Sequence, residues 1–236
     1  MKIGSASKVC AVFGFGPKIG ASVARKWASE GYKVAILSRN LEKLVAAQAE
    51  IPNSKAFCCD VTKPEAIDQS IESIESDLGP IDVLVWNAGN GVWKTWDTIE
   101  LDEFDAAMKT NVYGLLRATQ KVAPGMIERA KSSTSTSSAI LVTGATASLR
   151  GKPFTVGFAP QKGAQRMMAQ SLARDLGPKG VHVGLFILDG QVGTPGGEDP
   201  TKLDPNAIAN TYWSVANQDR TAWSFETEVR PAAENW

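Results

Sequence analysis

The most telling chemistry-bearing residues in this chain form the glycine-spaced run Gly14, Phe15, Gly16, Pro17, Lys18, Ile19 and Gly20. The run leaves an apolar, strand-like segment and leads straight into an amphipathic one. Backbone N–H groups at a helix N-terminus form an anion site, and small residues let the anion approach the main chain. In this strand–turn–helix setting the run predicts a pyrophosphate cradle. Other chemistries find little support. His182, the single histidine, lies in the apolar run 181–188 and is expected to pack within a strand. A serine-hydrolase triad would need it beside a nucleophilic serine, and nothing places it there. No ligand cluster of metal-site spacing occurs. Cys10, Cys58 and Cys59 sit in strand-like runs and are expected to be buried reduced thiols. Cys58 and Cys59 would point to opposite faces of a strand, which suits no metal.

The elements that must hold such a cradle follow from the hydrophobic pattern. Residues 8–13, 33–38, 56–59, 82–86, 139–143 and 181–188 read as largely buried strands, and 223–229 as a seventh near an edge. Helical segments 19–30, 41–49, 64–78, 101–130 and 154–176 fall between them. Ile19, Val23 and Trp27 recur at a spacing of four, as do Ile67, Ile71, Ile74 and Leu78 at three to four. Gly31, Gly79 and Gly177 follow three of the helices, where a left-handed residue is expected. Parallel strands need crossovers, which return right-handed. The expectation is an α/β fold: one doubly wound parallel sheet of about seven strands, helices on both faces, as a single domain over residues 1–236. The Ser/Thr-rich stretch 131–138 reads as a surface loop before the fifth strand.

A chain of 236 residues buries roughly three quarters of its unfolded surface and needs no disulfide or metal staple. Its 25 basic and 25 acidic residues give no support to a nucleic-acid partner. The N-terminal residues run into an apolar segment too short to span a membrane and lack a signal-peptide cleavage pattern, so a cytoplasmic protein without membrane attachment is expected.

Several landmarks in order resemble the short-chain dehydrogenase/reductase family, over roughly residues 9–229, and imply its Rossmann-type fold. Gly14, Ile19 and Gly20 match the family's phosphate loop, with Phe13 in place of a Thr and Lys18 in place of its middle Gly. Asp60 and Val61 match the pair bordering adenine. Asn87, Ala88 and Gly89 match the end of an Asn-Asn-Ala-Gly motif whose first Asn is here Trp86. Asn111 resembles the active-site Asn. Gly190 and Thr194 resemble the segment at the nicotinamide, with Asp189 replacing a Pro. In the active-site stretch Lys162 stands, whereas Ala145 fills the Ser position and Phe158 the Tyr position.

The resemblance implies a nicotinamide dinucleotide held by Gly14, Gly16, Lys18, Ile19, Gly20, Asp60, Val61, Asn87, Ala88, Gly89, Lys162, Gly190 and Thr194. Arg39, at the end of the second strand, favours NADP(H) over NAD(H), because its fork pairs with a 2′-phosphate whereas an acid there would repel it. Lys18 either adds charge near that phosphate or faces solvent. In the family, Tyr protonates the nascent alkoxide, Ser positions the carbonyl, Lys lowers the Tyr pKa and holds the ribose, and Asn anchors a relay water. Asn111 and Lys162 remain. The nearest candidate acid is Asp189, whose carboxyl would be raised by burial among Phe158, Phe186 and Trp93, or which only hydrogen-bonds the turn or the nicotinamide amide. Alternatively Lys162 donates the proton, or the substrate, such as an iminium, needs none.

Trp93 and Trp96 are expected either to wall the substrate pocket with Ala145 and Phe158 or to pack on the adjoining helix. The polar segment 191–204 implies an open mouth or a lid borrowed from elsewhere. By resemblance the partners are a small-molecule substrate and a second copy of the chain, as homodimer or homotetramer. The function expected is an NADP(H)-dependent oxidoreductase with a non-standard site; the alternative is an NADP(H)-binding former reductase that acts as a non-redox, cyclase-like catalyst or a cofactor-gated binding protein.

Overall fold

Alternation within each strand sends successive side chains to opposite faces of the sheet, and both faces are apolar. In the computed structural model, which describes residues 7–132 and 138–234, strand β1 (Val9–Phe13) directs Val9, Ala11 and Phe13 into one core layer and Cys10 and Val12 into the other. Strands β2 (Lys33–Ser38), β3 (Ser54–Cys58), β4 (Ile81–Trp86), β5 (Ser138–Ala145), β6 (Val181–Leu188) and β7 (Glu226–Val229) complete one sheet of seven parallel strands. Their order is β3-β2-β1-β4-β5-β6-β7.

Helices α1 (Ile19–Ser29), α2 (Leu41–Glu50) and α7 (Pro205–Ala216) cover one face, through Val23, Trp27, Leu44, Ile208 and Tyr212. Helices α3 (Pro64–Asp77), α4 (Leu101–Met108), α5 (Gly114–Ser132) and α6 (Ala159–Leu176) lie on the other, where Ile67, Ile71, Ile74, Leu115 and Met126 enter the second layer. The chain leaves β1 toward β2 on one side and returns to β4 on the other. Between β1 and β4 the strand ends therefore open a crevice, where such sheets bind ligands.

Local differences from the sequence reading have physical causes. The helix expected over 101–130 is interrupted by a π-helical turn at Lys109–Tyr113. The helix expected from 154 begins only at Ala159, because Pro160 lacks an N–H and is tolerated in the first turn alone. Gly31 and Gly79 adopt left-handed φ values of 85° and 112°. Gly177 does not: one further turn follows it, and Gly180 takes φ 86° instead, with Ala130 Cβ only 2.8 Å from where a Cβ would stand. Cys58 is exposed rather than buried, since β3 is an edge strand. The last strand is shorter than expected, and Trp223 stacks on His182 at 4.6 Å instead of entering it. Residues 133–137 of the expected loop 131–138 lie outside the described residues. Among the described residues no helix is long and apolar enough to cross a membrane.

Candidate functional site

The crevice beside β1 has a volume of about 310 Å³ and is lined by Gly14, Arg39, Asp60, Val61, Asn87, Ala88 and Gly89, among others. Gly14 allows the close passage of two strand ends: at φ 82° a Cβ there would lie 2.3 Å from the Ala88 nitrogen. A Cβ on Gly20 would meet Phe15 Cα at 2.9 Å, whereas Gly16 faces open space. Helix α1 starts without a side-chain cap, which leaves its first N–H groups uncapped by any side chain, while the Gly14 and Phe15 N–H groups before it donate to the Leu37 carbonyl at 3.0 and 2.8 Å.

The Arg39 guanidinium makes no hydrogen bond or salt bridge among the described residues, and only its main-chain carbonyl is engaged, accepting from Cys58 Sγ at 3.5 Å. Across from it Asp60 accepts from the Thr62 backbone at 3.0 Å and the Thr62 hydroxyl at 2.8 Å. Burial pushes the Asp60 carboxyl up, but those bonds and the charges of Arg39 and Lys63 outweigh it and leave it below its ordinary range.

A buried polar chain ties this loop to the next group. Asn87 donates to the Gly14 carbonyl at 2.9 Å, the Thr143 hydroxyl donates to Asn87 Oδ1 at 3.0 Å, and the Tyr212 hydroxyl donates to Thr143 Oγ1 at 3.0 Å. Lys162 Nζ donates to the Thr143 carbonyl and to Gln165 Oε1, each at 3.0 Å. Asn111 lies in the π-helical turn, a distortion frequent at functional sites. Its side-chain amide donates to the Asn90 and Ala107 carbonyls at 2.7 and 2.9 Å, while its buried Oδ1 has no donor. Gly89 borders both groups: a Cβ there would be 3.6 Å from Asn111 Oδ1 and 3.9 Å from Lys162 Nζ. Burial lowers the Lys162 amine to about 8, and burial raises the Tyr212 phenol well above its usual value.

Phe158 caps the start of α6, four residues before Lys162. Its ring lies over Gly91, whose Cβ would stand 2.7 Å from Phe158 Cδ2, and 5.0 Å from the Trp93 ring. Trp93 also approaches Phe154 at 5.8 Å and is 60% exposed, so the three rings form an accessible aromatic surface. Trp96 is exposed outside these ring contacts. Ala145 ends β5 and adds no polar group.

Three expected residues stand differently from their anticipated surroundings. Lys18 donates to the Val192 carbonyl at 2.6 Å and shares with Thr194 a second crevice of about 280 Å³, whereas Arg39 lines the first. Asp189 is buried, but its carboxylate pairs with Arg230 at 3.1 Å and Arg150 at 3.6 Å. Phe186 does not flank it across the pocket; it stacks on Tyr212 at 3.7 Å inside the core. Gly190, next in the chain, adopts φ 138° against Pro231. Residues after β7, Arg230 and Pro231, thus pack against the chain where it leaves β6.

His182 lies at the other end of the sheet, its Nε2 2.8 Å from the Ser224 carbonyl oxygen. Among the described residues no cluster of His, Cys, Asp and Glu could hold a metal ion. Sequence reading missed Thr143, Gln165 and the role of Tyr212. The available signals were a hydroxyl ending an apolar strand and a Gln one turn beyond Lys162.

The family described as short chain dehydrogenase matches residues 8–199. The chain belongs to the short-chain dehydrogenase family. An uncharacterized oxidoreductase of Staphylococcus aureus strain MW2 is 31% identical over 235 residues, 95% of this chain and 97% of that one. The crystal structure of a short-chain dehydrogenase from Rhodopseudomonas palustris is 31% identical, with TM-score 0.83 over 95% of this chain and 98% of its own. A metagenomic short-chain oxidoreductase solved in complex with NADP is 26% identical, with TM-score 0.84 over 98% and 100% of the two chains. In this short-chain dehydrogenase the seven-stranded parallel sheet brings the glycine loop, Asn111 and Lys162 to one end.

Proposed function

We propose that this protein is an NADP(H)-dependent oxidoreductase that passes hydride between the cofactor and a small molecule at a site without the family's Tyr and Ser. The observation that carries this reading is that buried Lys162 and Asn111 both border Gly89, while on the family resemblance Phe158 and Ala145 fill the positions of the proton-donating and carbonyl-orienting groups.

The residues present fit a dinucleotide. Gly16 faces open space, α1 is uncapped, and the unpartnered Asn111 Oδ1 is a buried acceptor awaiting a donor. Gly14, Gly16, Ile19 and Gly20 would hold the pyrophosphate, and Lys18, whose ammonium donates to the Val192 carbonyl in the second crevice, would add charge from there. Arg39 would take the 2′-phosphate, Asp60 and Val61 would border adenine, and Asn87, Ala88 and Gly89 would line the ribose path. Lys162 would hold the second ribose, and Gly190 and Thr194 the nicotinamide end. The NADP in the metagenomic relative's structure supports the choice of cofactor. When bound, the nicotinamide supplies or accepts the hydride.

The protein's own part is to bind, orient and exclude water. Reduction of a ketone also needs a proton, and a positioned donor is worth about 10²–10⁴ in rate. Phe158 and Ala145 have none to give, Tyr212 is committed to Thr143, and Asp189 is committed to two arginines. An iminium carbon takes hydride while its C=N π pair becomes the nitrogen lone pair, giving a neutral amine with no proton required. An iminium, or a carbonyl activated so that no protein acid is needed, is therefore the substrate class proposed. The exposed Trp93–Phe154–Phe158 surface suits a flat partner. Exposed Tyr113, Leu116 and Met167 on the helical face support a homodimer or homotetramer.

A second reading, cofactor binding without redox turnover, as in a cyclase-like catalyst or a cofactor-gated binding protein, draws on the packing of Phe158 over Gly91. Calorimetric titration tests the shared premise. NADPH is expected to bind at least about tenfold tighter than NADH, the worth of a charge-assisted Arg39 contact; the reverse order would overturn it.

A further inference from the structure

Lys162 is 5% exposed and Gln165 and Asn111 not at all, so nothing but protein orients the ammonium before a ligand arrives. Two of its three N–H groups are used, on the Thr143 carbonyl and on Gln165 Oε1. The other end of the same carboxamide donates to the Asn111 main-chain carbonyl at 2.9 Å. That carbonyl belongs to the π-helical turn, where the helical bonding register shifts by one residue. One neutral side chain therefore reaches from α6 to the turn and joins Lys162, whose ammonium borders Gly89, to the main chain of Asn111, whose Oδ1 borders it as well.

Few residues could make this bridge. It must accept from an ammonium and donate to a carbonyl at the same time, and a carboxamide does both. A Glu would accept from Lys162 but place its charge against the Asn111 carbonyl. A Met would match the size but take one acceptor from Lys162, leaving it the Thr143 carbonyl, and one donor from the Asn111 carbonyl, at a cost for each. No carboxylate pairs with Lys162 among the described residues. Asp189, just after β6, is held by Arg150 and Arg230, and from α7 the Tyr212 hydroxyl reaches the same Thr143.

We propose that Gln165 is a positioning residue for this site: its carboxamide locks the Lys162 ammonium to the Asn111 carbonyl and so fixes the direction of the one N–H left for a ligand. The proposal rests on the reading that the crevice binds NADP(H) with Lys162 at the nicotinamide ribose.

The test compares wild type, Q165M and Q165E. Calorimetry would measure NADPH and 2′,5′-ADP, which keeps the adenosine and 2′-phosphate but lacks the nicotinamide half. In parallel, the Lys162 ¹³Cε signal would be titrated in the ligand-free protein. Q165M is expected to weaken NADPH about tenfold and 2′,5′-ADP less than about twofold, the loss of one charge-assisted contact at one end of the ligand. Q165E should recover part of the NADPH affinity and raise the Lys162 midpoint by about one unit, through the opposite charge. Equal weakening of both ligands would mark general loosening and overturn the proposal, as would no weakening of either. If wild type fails to bind NADPH, the cofactor reading falls by itself and the ligand-free titration decides: a raised midpoint in Q165E supports the contact, an unmoved one refutes it.

Discussion

Replacing Thr143 with Val would keep the β-branched shape that β5 packs and remove one oxygen. That oxygen accepts from Tyr212 and donates to Asn87, and Tyr212 is fully buried. The variant leaves a buried hydroxyl without an acceptor and an amide oxygen without its donor. At about 1–3 kcal/mol per unsatisfied buried group, partly relieved by relaxation, Thr143→Val should cost about 2–4 kcal/mol. Tyr212→Phe removes the donor together with its bond, leaves Thr143 still bonded to Asn87, and should cost about 1 kcal/mol. In the double variant only Asn87 Oδ1 loses a partner, so the combined loss should fall short of the sum by about 1–2 kcal/mol. Urea unfolding of the four proteins, followed by circular dichroism, measures the cycle. Additivity within about 0.5 kcal/mol would refute the network, because separated sites behave that way.

Two further outcomes follow from the site. Burial holds the Lys162 amine at about 8 in the folded protein against an ordinary 10.5, so between those values the unfolded chain binds the extra proton. Stability should therefore rise with pH across that window in wild type relative to Lys162→Met, as measured by urea unfolding at both ends; a parallel response of the two proteins would contradict it. Asp189→Asn should destabilise the protein, because Arg150 and Arg230 lose their common carboxylate, while cofactor affinity changes little. Loss of turnover in a stable Asp189→Asn protein would instead restore Asp189 as the acid.

The parallel sheet was readable because its strands are continuous apolar runs and its helices repeat at three to four residues. The turn of the glycine loop between β1 and α1 was readable because it depends on contiguous residues. What escaped depends on partners distant in the chain. Asp189 looked like a lone acid until Arg150 and Arg230 were brought to it from two other segments. Lys18 could not be directed from sequence, since its acceptor, the Val192 carbonyl, follows β6. Gly177 and Gly180 were indistinguishable without knowing that Ala130 crowds the latter. Nothing near Tyr212 in the sequence marks it, although its hydroxyl ends a chain of hydrogen bonds that begins at Gly14.

The central claim, hydride transfer without a proton from the protein, is tested most directly by following NADPH absorbance with a cyclic iminium and the ketone of the same carbon skeleton, for wild type and Phe158→Tyr. The expected result is oxidation of NADPH by the iminium in wild type, with no more than about a twofold change in Phe158→Tyr, since no donor is needed. No oxidation of NADPH by the iminium in wild type, or a gain of about 10²-fold or more in iminium turnover when Phe158 becomes Tyr, would contradict it.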